Sequence, residues 1–273
     1  MVASIAAEAL KIRKRPATWV IGLLLMALII LFGYVIIYFV TQVEAEGITA
    51  EQLAILRESL LTQHIVPQVL SVLSQLGGPL ALILGAMSAG SEYGWATIKT
   101  ILTQRPARWE ILAGKLLMLG ATTAIFVVAG FATALIASLA IAQRTNVAVT
   151  LPAAQEIARG MGAAWLMLTA WTSLGLALAI LFRGTSGAIG LGLVYALVVE
   201  SIISGLAGRS DVLKTLYQGL LGPHTLALAR SFEPAGDQAG AMISPERAAL
   251  TLVCYIVACT LVALSLIQRR DVH

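Results

Sequence analysis

The sequence predicts an all-α membrane protein with six transmembrane helices and both termini cytoplasmic. Three observations carry that prediction. Of 273 residues, 59% are hydrophobic and only 12% are charged, about half the charge density of an average soluble domain. The apolar residues gather into six runs of roughly 20 residues, the length that crosses a bilayer as a helix. The basic residues concentrate in alternate connections, as the positive-inside rule requires. A soluble enzyme, a disordered chain and a nucleic-acid-binding domain are excluded, because so much apolar surface has no soluble hiding place.

The runs cover residues 17–40, 65–91, 116–142, 160–182, 186–208 and 248–268 of a single transmembrane domain, 1–273. Lys11, Arg13, Lys14 and Arg15 precede the first run in the manner of a signal peptide. The run is too long for a secretory core of about 7–15 residues, and no small-residue cleavage site follows, so it reads as a retained span. With both ends inside, eleven of the eighteen Lys and Arg fall on the inner side, and ten of the fourteen acids fall outside. The N-terminal stretch with Glu8 and its basic cluster reads as a short interfacial helix favouring anionic lipid heads, or as a plain positive-inside anchor.

The outer connections carry helical patterns. Thr49-Ala50-Glu51-Gln52 fits a capping box, followed by Leu53, Leu56 and Leu60 at helical spacing. In the outer helical loop, 209–247, Leu213, Leu216, Tyr217 and Leu220 repeat the pattern, and Gly222-Pro223 is expected to break it. Ser244-Pro245 is a suitable start for the last helix.

Most chemical motifs fail on inspection. Gly184-Thr185-Ser186-Gly187 resembles the rhomboid protease serine motif, but His64, His224 and His273 all lie outside the spans and supply no base. Gly114-Lys115 is no phosphate loop, since Trp109 and Leu116 stand where Gly and Ser or Thr are needed. Ala188 and Gly192 form a small pair suited to close helix approach. Cys254 and Cys259 are read as small residues of a membrane helix, with no metal site around them. No catalytic or metal-binding residue is expected.

Two features inside the spans are candidate substrate-path or hinge residues. Gly77, Gly78 and Pro79 fall near the middle of the second span, where proline removes a backbone donor; the break is a hinge or a static kink. Glu200 is the one acid within a span. It faces protein or water, where it pairs with Arg209, attracts a cationic substrate, or sits at the interface.

The segment 92–110 carries the most specific signal. Tyr93, Ile98, Ile101 and Leu102 share a face of a short helix beneath two spans, Arg105-Pro106 turns the chain, and Lys115 opens the third span. The stretch from Glu92 to Lys115 resembles the cytoplasmic coupling segment of ABC-2-type transporter permeases. Glu92, Tyr93, Thr97, Arg108 and Lys115 match the family pattern, and Ala96 replaces its usual Gly. Glu8, Lys11, Arg15, Pro16 and Trp19 resemble the family's approach to its first span.

That resemblance implies the transmembrane half of an ATP-driven exporter. It implies two copies of a separate soluble ATP-binding subunit, which would hold ATP and Mg, and a second permease copy, identical or related. Glu92, Tyr93, Thr97, Ile98, Ile101, Leu102 and Arg108 would contact or position the ATPase through the coupling helix. It also implies a path near the first, second and fifth spans, and a prokaryotic plasma membrane as the location. The chain itself is expected to bind no cofactor and no nucleic acid. An ion-coupled carrier and a non-transporting scaffold are the alternatives; the carrier is disfavoured by a single in-span acid and no inverted repeat.

Overall fold

The computed structural model describes residues 2–43, 49–94, 108–145, 147–233 and 243–269. Its ordered elements are helices, six of them long and apolar enough to cross a membrane: Pro16–Val43, Thr62–Tyr93, Trp109–Thr145, Ala154–Phe182, Thr185–Leu206 and Pro245–Gln268. All but the fifth, which stops at Leu206 within its apolar run, reach past the apolar runs, because polar ends extend beyond the hydrocarbon layer. By connectivity, the N-terminal helix Val2–Lys14 and the connection between the second and third spans share one side, here the N-terminal face. The helices Ala50–Ser59, Asp211–Tyr217 and Leu221–Arg230 lie on the opposite, distal face.

The local signals act as physics requires. Pro16 starts the first span, at a position where its missing N–H costs nothing. Thr49 and Gln52 form the reciprocal capping box before Ala50–Ser59. Ser210 caps Asp211–Tyr217, and the Ser244 hydroxyl accepts from Arg247 N–H at the start of the last span. Gly184-Thr185-Ser186-Gly187 forms a tight turn and the start of the fifth span. Arg183 adopts a left-handed φ of 52° there, the sole non-glycine to do so among the described residues.

The expected break at Gly222-Pro223 falls elsewhere. The chain turns at 218–220, with Leu220 extended, and Gly222 and Pro223 lie inside the first turn of Leu221–Arg230. A proline in a first helical turn has no intrahelical hydrogen bond to lose, so it marks a start rather than a stop.

The second and fourth spans form the centre. In their most apolar windows 61% of residues are buried, against 11% in the fifth and sixth spans. Gly85 and Gly175 explain the closeness of the central pair. A Cβ on Gly85 would lie 2.0 Å from the Thr172 carbonyl oxygen, and one on Gly175 would lie 2.0 Å from that of Leu82. Leu82, Leu168 and Leu176 fill the space beside the crossing and are almost fully buried. The fifth span approaches through Gly192, whose Cβ position is 2.6 Å from Leu82 Cδ2, with Ala188 fully buried one turn earlier. Small residues thus set the helix spacing, as association without a hydrophobic drive demands.

Three spans contain a π-helical turn: Leu31–Val35 in the first, Leu73–Gly77 in the second and Val194–Val199 in the fifth. Such turns often mark functional positions. Gly77-Gly78-Pro79 therefore sits at the junction of a π turn and the helix that resumes at Gly78. The Gln68 amide donates to the Gly33 carbonyl in the first of these turns, linking the first two spans.

Candidate functional site

Four charged side chains on three helices close a ring at the N-terminal face. The Lys11 ammonium donates to Glu8 Oε1 and Glu92 Oε1, both at 2.7 Å. The Lys115 ammonium donates to Glu92 Oε1 at 2.9 Å, Glu8 Oε2 at 3.1 Å and the Ser88 carbonyl at 3.1 Å. Charges alternate around the ring, and the sum is zero. Glu8, Glu92 and Lys115 are only 4–5% exposed. Lysine has three donors, and all three of Lys115 are used. A buried charge is tolerable only when paired and hydrogen-bonded in this way.

The ring arises from helical spacing. Ser4, Glu8 and Lys11 recur at intervals of four and three, which puts them on one face of the N-terminal helix, and Arg15 follows just past its end. Ser4 donates to the Glu110 carbonyl at 3.2 Å, and Arg15 donates to the Met87 carbonyl at 3.1 Å. Ser88 and Glu92, four apart, present the second span's side. Gly114 permits the approach, since its Cβ would lie 2.6 Å from Ser4 Oγ.

Burial lowers the Lys11 pKa, but its hydrogen bonds to the Glu8 and Glu92 carboxylates and their charges outweigh it, and the net shift is upward. Lys11 thus contributes fully below its ordinary value of 10.5. That contribution is lost only as pH rises through the higher folded value.

This geometry revises the reading of the N-terminal basic cluster as a lipid or positive-inside anchor. Lys11 and Arg15 turn inward onto the second span, whereas Arg13 and Lys14 are exposed. The Arg13 carbonyl accepts from the Trp19 indole at 2.9 Å.

Of the expected coupling residues, Glu92 ends the second span within the ring, and Tyr93 packs half-buried against the core. Thr97, Ile98, Ile101 and Leu102 lie outside the described residues, as does the Arg108 side chain. The ring pins what flanks them: Glu92 on one side and Lys115, in the second turn of the helix Arg108–Thr145, on the other.

The other candidates sit elsewhere. Gly77 and Gly78 face the fourth span, where Cβ atoms would meet Leu168 Cδ2 at 3.1 Å and Trp171 Nε1 at 2.7 Å. A void of about 10 Å³, no larger than one water, lies beside Gly77, walled by Ile21, Leu25, Leu80, Phe126 and Leu168. Glu200 is 6% exposed and accepts from Gly222 N–H at 2.9 Å, across to the distal helix Leu221–Arg230. It faces this backbone amide and the Tyr195 hydroxyl rather than Arg209. Nearby, His224 is fully buried and its Nδ1 lies 2.6 Å from the Leu220 carbonyl. Burial, then the Arg247 charge, lowers its pKa against the opposing effect of that carbonyl, so the ring is neutral and Nδ1–H donates. Cys254 and Cys259 are free thiols, and no cluster of metal-binding side chains occurs among the described residues.

A six-span helical domain with an ion ring at the base of its second and third spans defines a multi-pass membrane protein. A family model described as ABC-2 family transporter protein matches residues 4–199. The chain belongs to that family, whose members are membrane permeases of ABC transporters and work with an ATP-binding subunit in a membrane complex. Members are transmembrane subunits, normally not themselves ATPases. A comparison with curated proteins gives no match.

Proposed function

We propose that this chain is the permease half of an exporter in a prokaryotic plasma membrane, with the N-terminal face cytoplasmic. It pairs with a second permease copy and two copies of a soluble ATP-binding subunit, which hold ATP and Mg. The observation that carries the reading is the ion ring, which braces both flanks of residues 95–107 in a chain of the ABC-2 family. Flanks so held pass force to the second and third spans together. Glu92, Tyr93, Thr97, Ile98, Ile101, Leu102 and Arg108 make or position the ATPase contact.

ATP-driven closure of the ATPase pair then pushes the second span, and the fourth follows because the two backbones touch at Gly85 and Gly175. The π turn Leu73–Gly77, followed by Gly78 and Pro79, is the hinge. Glu200 stands at the distal end of the path. The mildly acidic distal side favours cationic cargo.

Replacing Ile101 with aspartate tests the coupling assignment. An unpaired charge at a closed interface costs several kcal/mol. Cargo-stimulated ATP hydrolysis of the assembled complex is expected to fall about tenfold or more, with the permease still folded. Unchanged hydrolysis and transport would remove the segment from the ATPase contact.

A further inference from the structure

We propose that Tyr195, Glu200 and Tyr255 are positioning residues that clasp the distal chain break at 218–221, and that the clasp opens in each transport cycle to release cargo. The inference rests on the exporter reading above and concerns the opposite end of the molecule from the ATPase contact.

The break separates the helices Asp211–Tyr217 and Leu221–Arg230. Helix ends leave carbonyls and N–H groups without intrahelical partners, and near a bilayer such groups must be satisfied by protein. Here three side chains on two spans satisfy three of them. Tyr255 of the sixth span donates to the Gly219 carbonyl. Tyr195 of the fifth span accepts from Leu221 N–H at 3.2 Å. Glu200, also of the fifth span, accepts from Gly222 N–H at 2.9 Å. The fit is tight, because a Cβ on Gly222 would lie 2.1 Å from Glu200 Oε2.

The fifth span's π turn is what aligns its two holders. Tyr195 and Glu200 are five residues apart. In an α-helix of 3.6 residues per turn, that spacing puts them about 140° apart, on different faces. The π turn Val194–Val199, with its i to i+5 repeat, swings them to the same side. Relaxation of that turn to α-helix rotates one holder away and frees an amide. A route for such a signal is present: the Tyr195 ring lies 6.2 Å from the Trp171 ring, whose Nε1 rests against Gly78 at the second-span hinge. The hinge, the π turn and the clasp are thus in physical sequence.

Amide hydrogen exchange of the 219–222 segment, measured on the permease with its ATP-binding subunit in lipid nanodiscs, tests the proposal. Without nucleotide, Glu200→Ala is expected to speed exchange at Gly222 roughly 10- to 100-fold, the loss of a charge-assisted hydrogen bond. Glu200→Gln keeps an acceptor oxygen and stays near wild type. Tyr195→Phe speeds Leu221 and spares Gly222, a pattern that general destabilisation does not give. In wild type, ATP with vanadate speeds both amides. Exchange unchanged by Glu200→Ala would overturn the clasp. Full protection under ATP and vanadate, in a complex that hydrolyses ATP and moves cargo, would overturn its role as a gate and leave the exporter reading standing. A complex without ATP hydrolysis would overturn the exporter reading and the gate together, while the nucleotide-free comparison still reports the clasp.

Discussion

Replacing Lys115 with methionine is expected to be the most damaging single change at the N-terminal face. Methionine matches the aliphatic stem but takes the Lys115 ammonium away from two buried carboxylates, Glu8 and Glu92. It also leaves the Ser88 carbonyl without the ammonium. Breaking a buried ion pair by removing one partner costs about 3–5 kcal/mol, because the surviving charge stays buried. In detergent, the thermal midpoint should fall by roughly 10 °C. The double variant Lys115→Met with Glu8→Gln should recover part of that loss, with a coupling of about 1 kcal/mol or more. High salt should not mimic the variant, since Lys115 and its two carboxylate partners are shielded from solvent. A single variant as stable as wild type, with no coupling to Glu8, would show that the ring does not hold the N-terminal helix.

The second large effect belongs to the central crossing. Gly85→Ala and Gly175→Ala each place a methyl group 2.0 Å from a carbonyl oxygen of the facing backbone. A rotamer change does not relieve such a clash, so the second and fourth spans must separate. Separation strips contacts from Leu82, Leu168 and Leu176. Overpacking of this kind costs about 3 kcal/mol, and more where backbone opposes backbone. Gly162→Ala and Gly190→Ala provide the contrast, because nothing lies within 4 Å of their Cβ positions. They should be neutral or slightly stabilising, as alanine favours helix by up to about 1 kcal/mol. Measuring the monodisperse fraction and thermal midpoint of all four variants separates the cases. Equal behaviour across the four would contradict the close crossing.

Several elements were legible because their causes are local. The six spans follow from apolar runs, the capping box from Thr49 and Gln52, and the last helix start from Ser244 and Pro245. Gly222-Pro223 misleads as a break because proline ends a helix in its middle and starts one in its first turn; the sequence does not number the turns. The site was half legible. Glu8, Lys11, Glu92 and Lys115 each stand out through resemblance to a family, but their closure into one ring depends on pairings 23 to 107 positions apart. The available signal was the spacing of Ser4, Glu8 and Lys11, which puts polar groups on one helix face. Glu200 suggests a charged partner such as Arg209, yet it meets the Tyr195 hydroxyl and a backbone amide, and a backbone amide is a group that every residue but proline carries and no composition reveals. The π turns have no shared sequence signature; only Leu73–Gly77 has a glycine and proline following it.

The transporter assignment is tested most directly by purifying the tagged chain from its native membrane in mild detergent and assaying what accompanies it. The account predicts a soluble nucleotide-binding subunit in equal copies, with vanadate-sensitive ATP hydrolysis in the same fraction. A chain that purifies alone, with no nucleotide dependence even when its genomic neighbours are co-expressed, would contradict it.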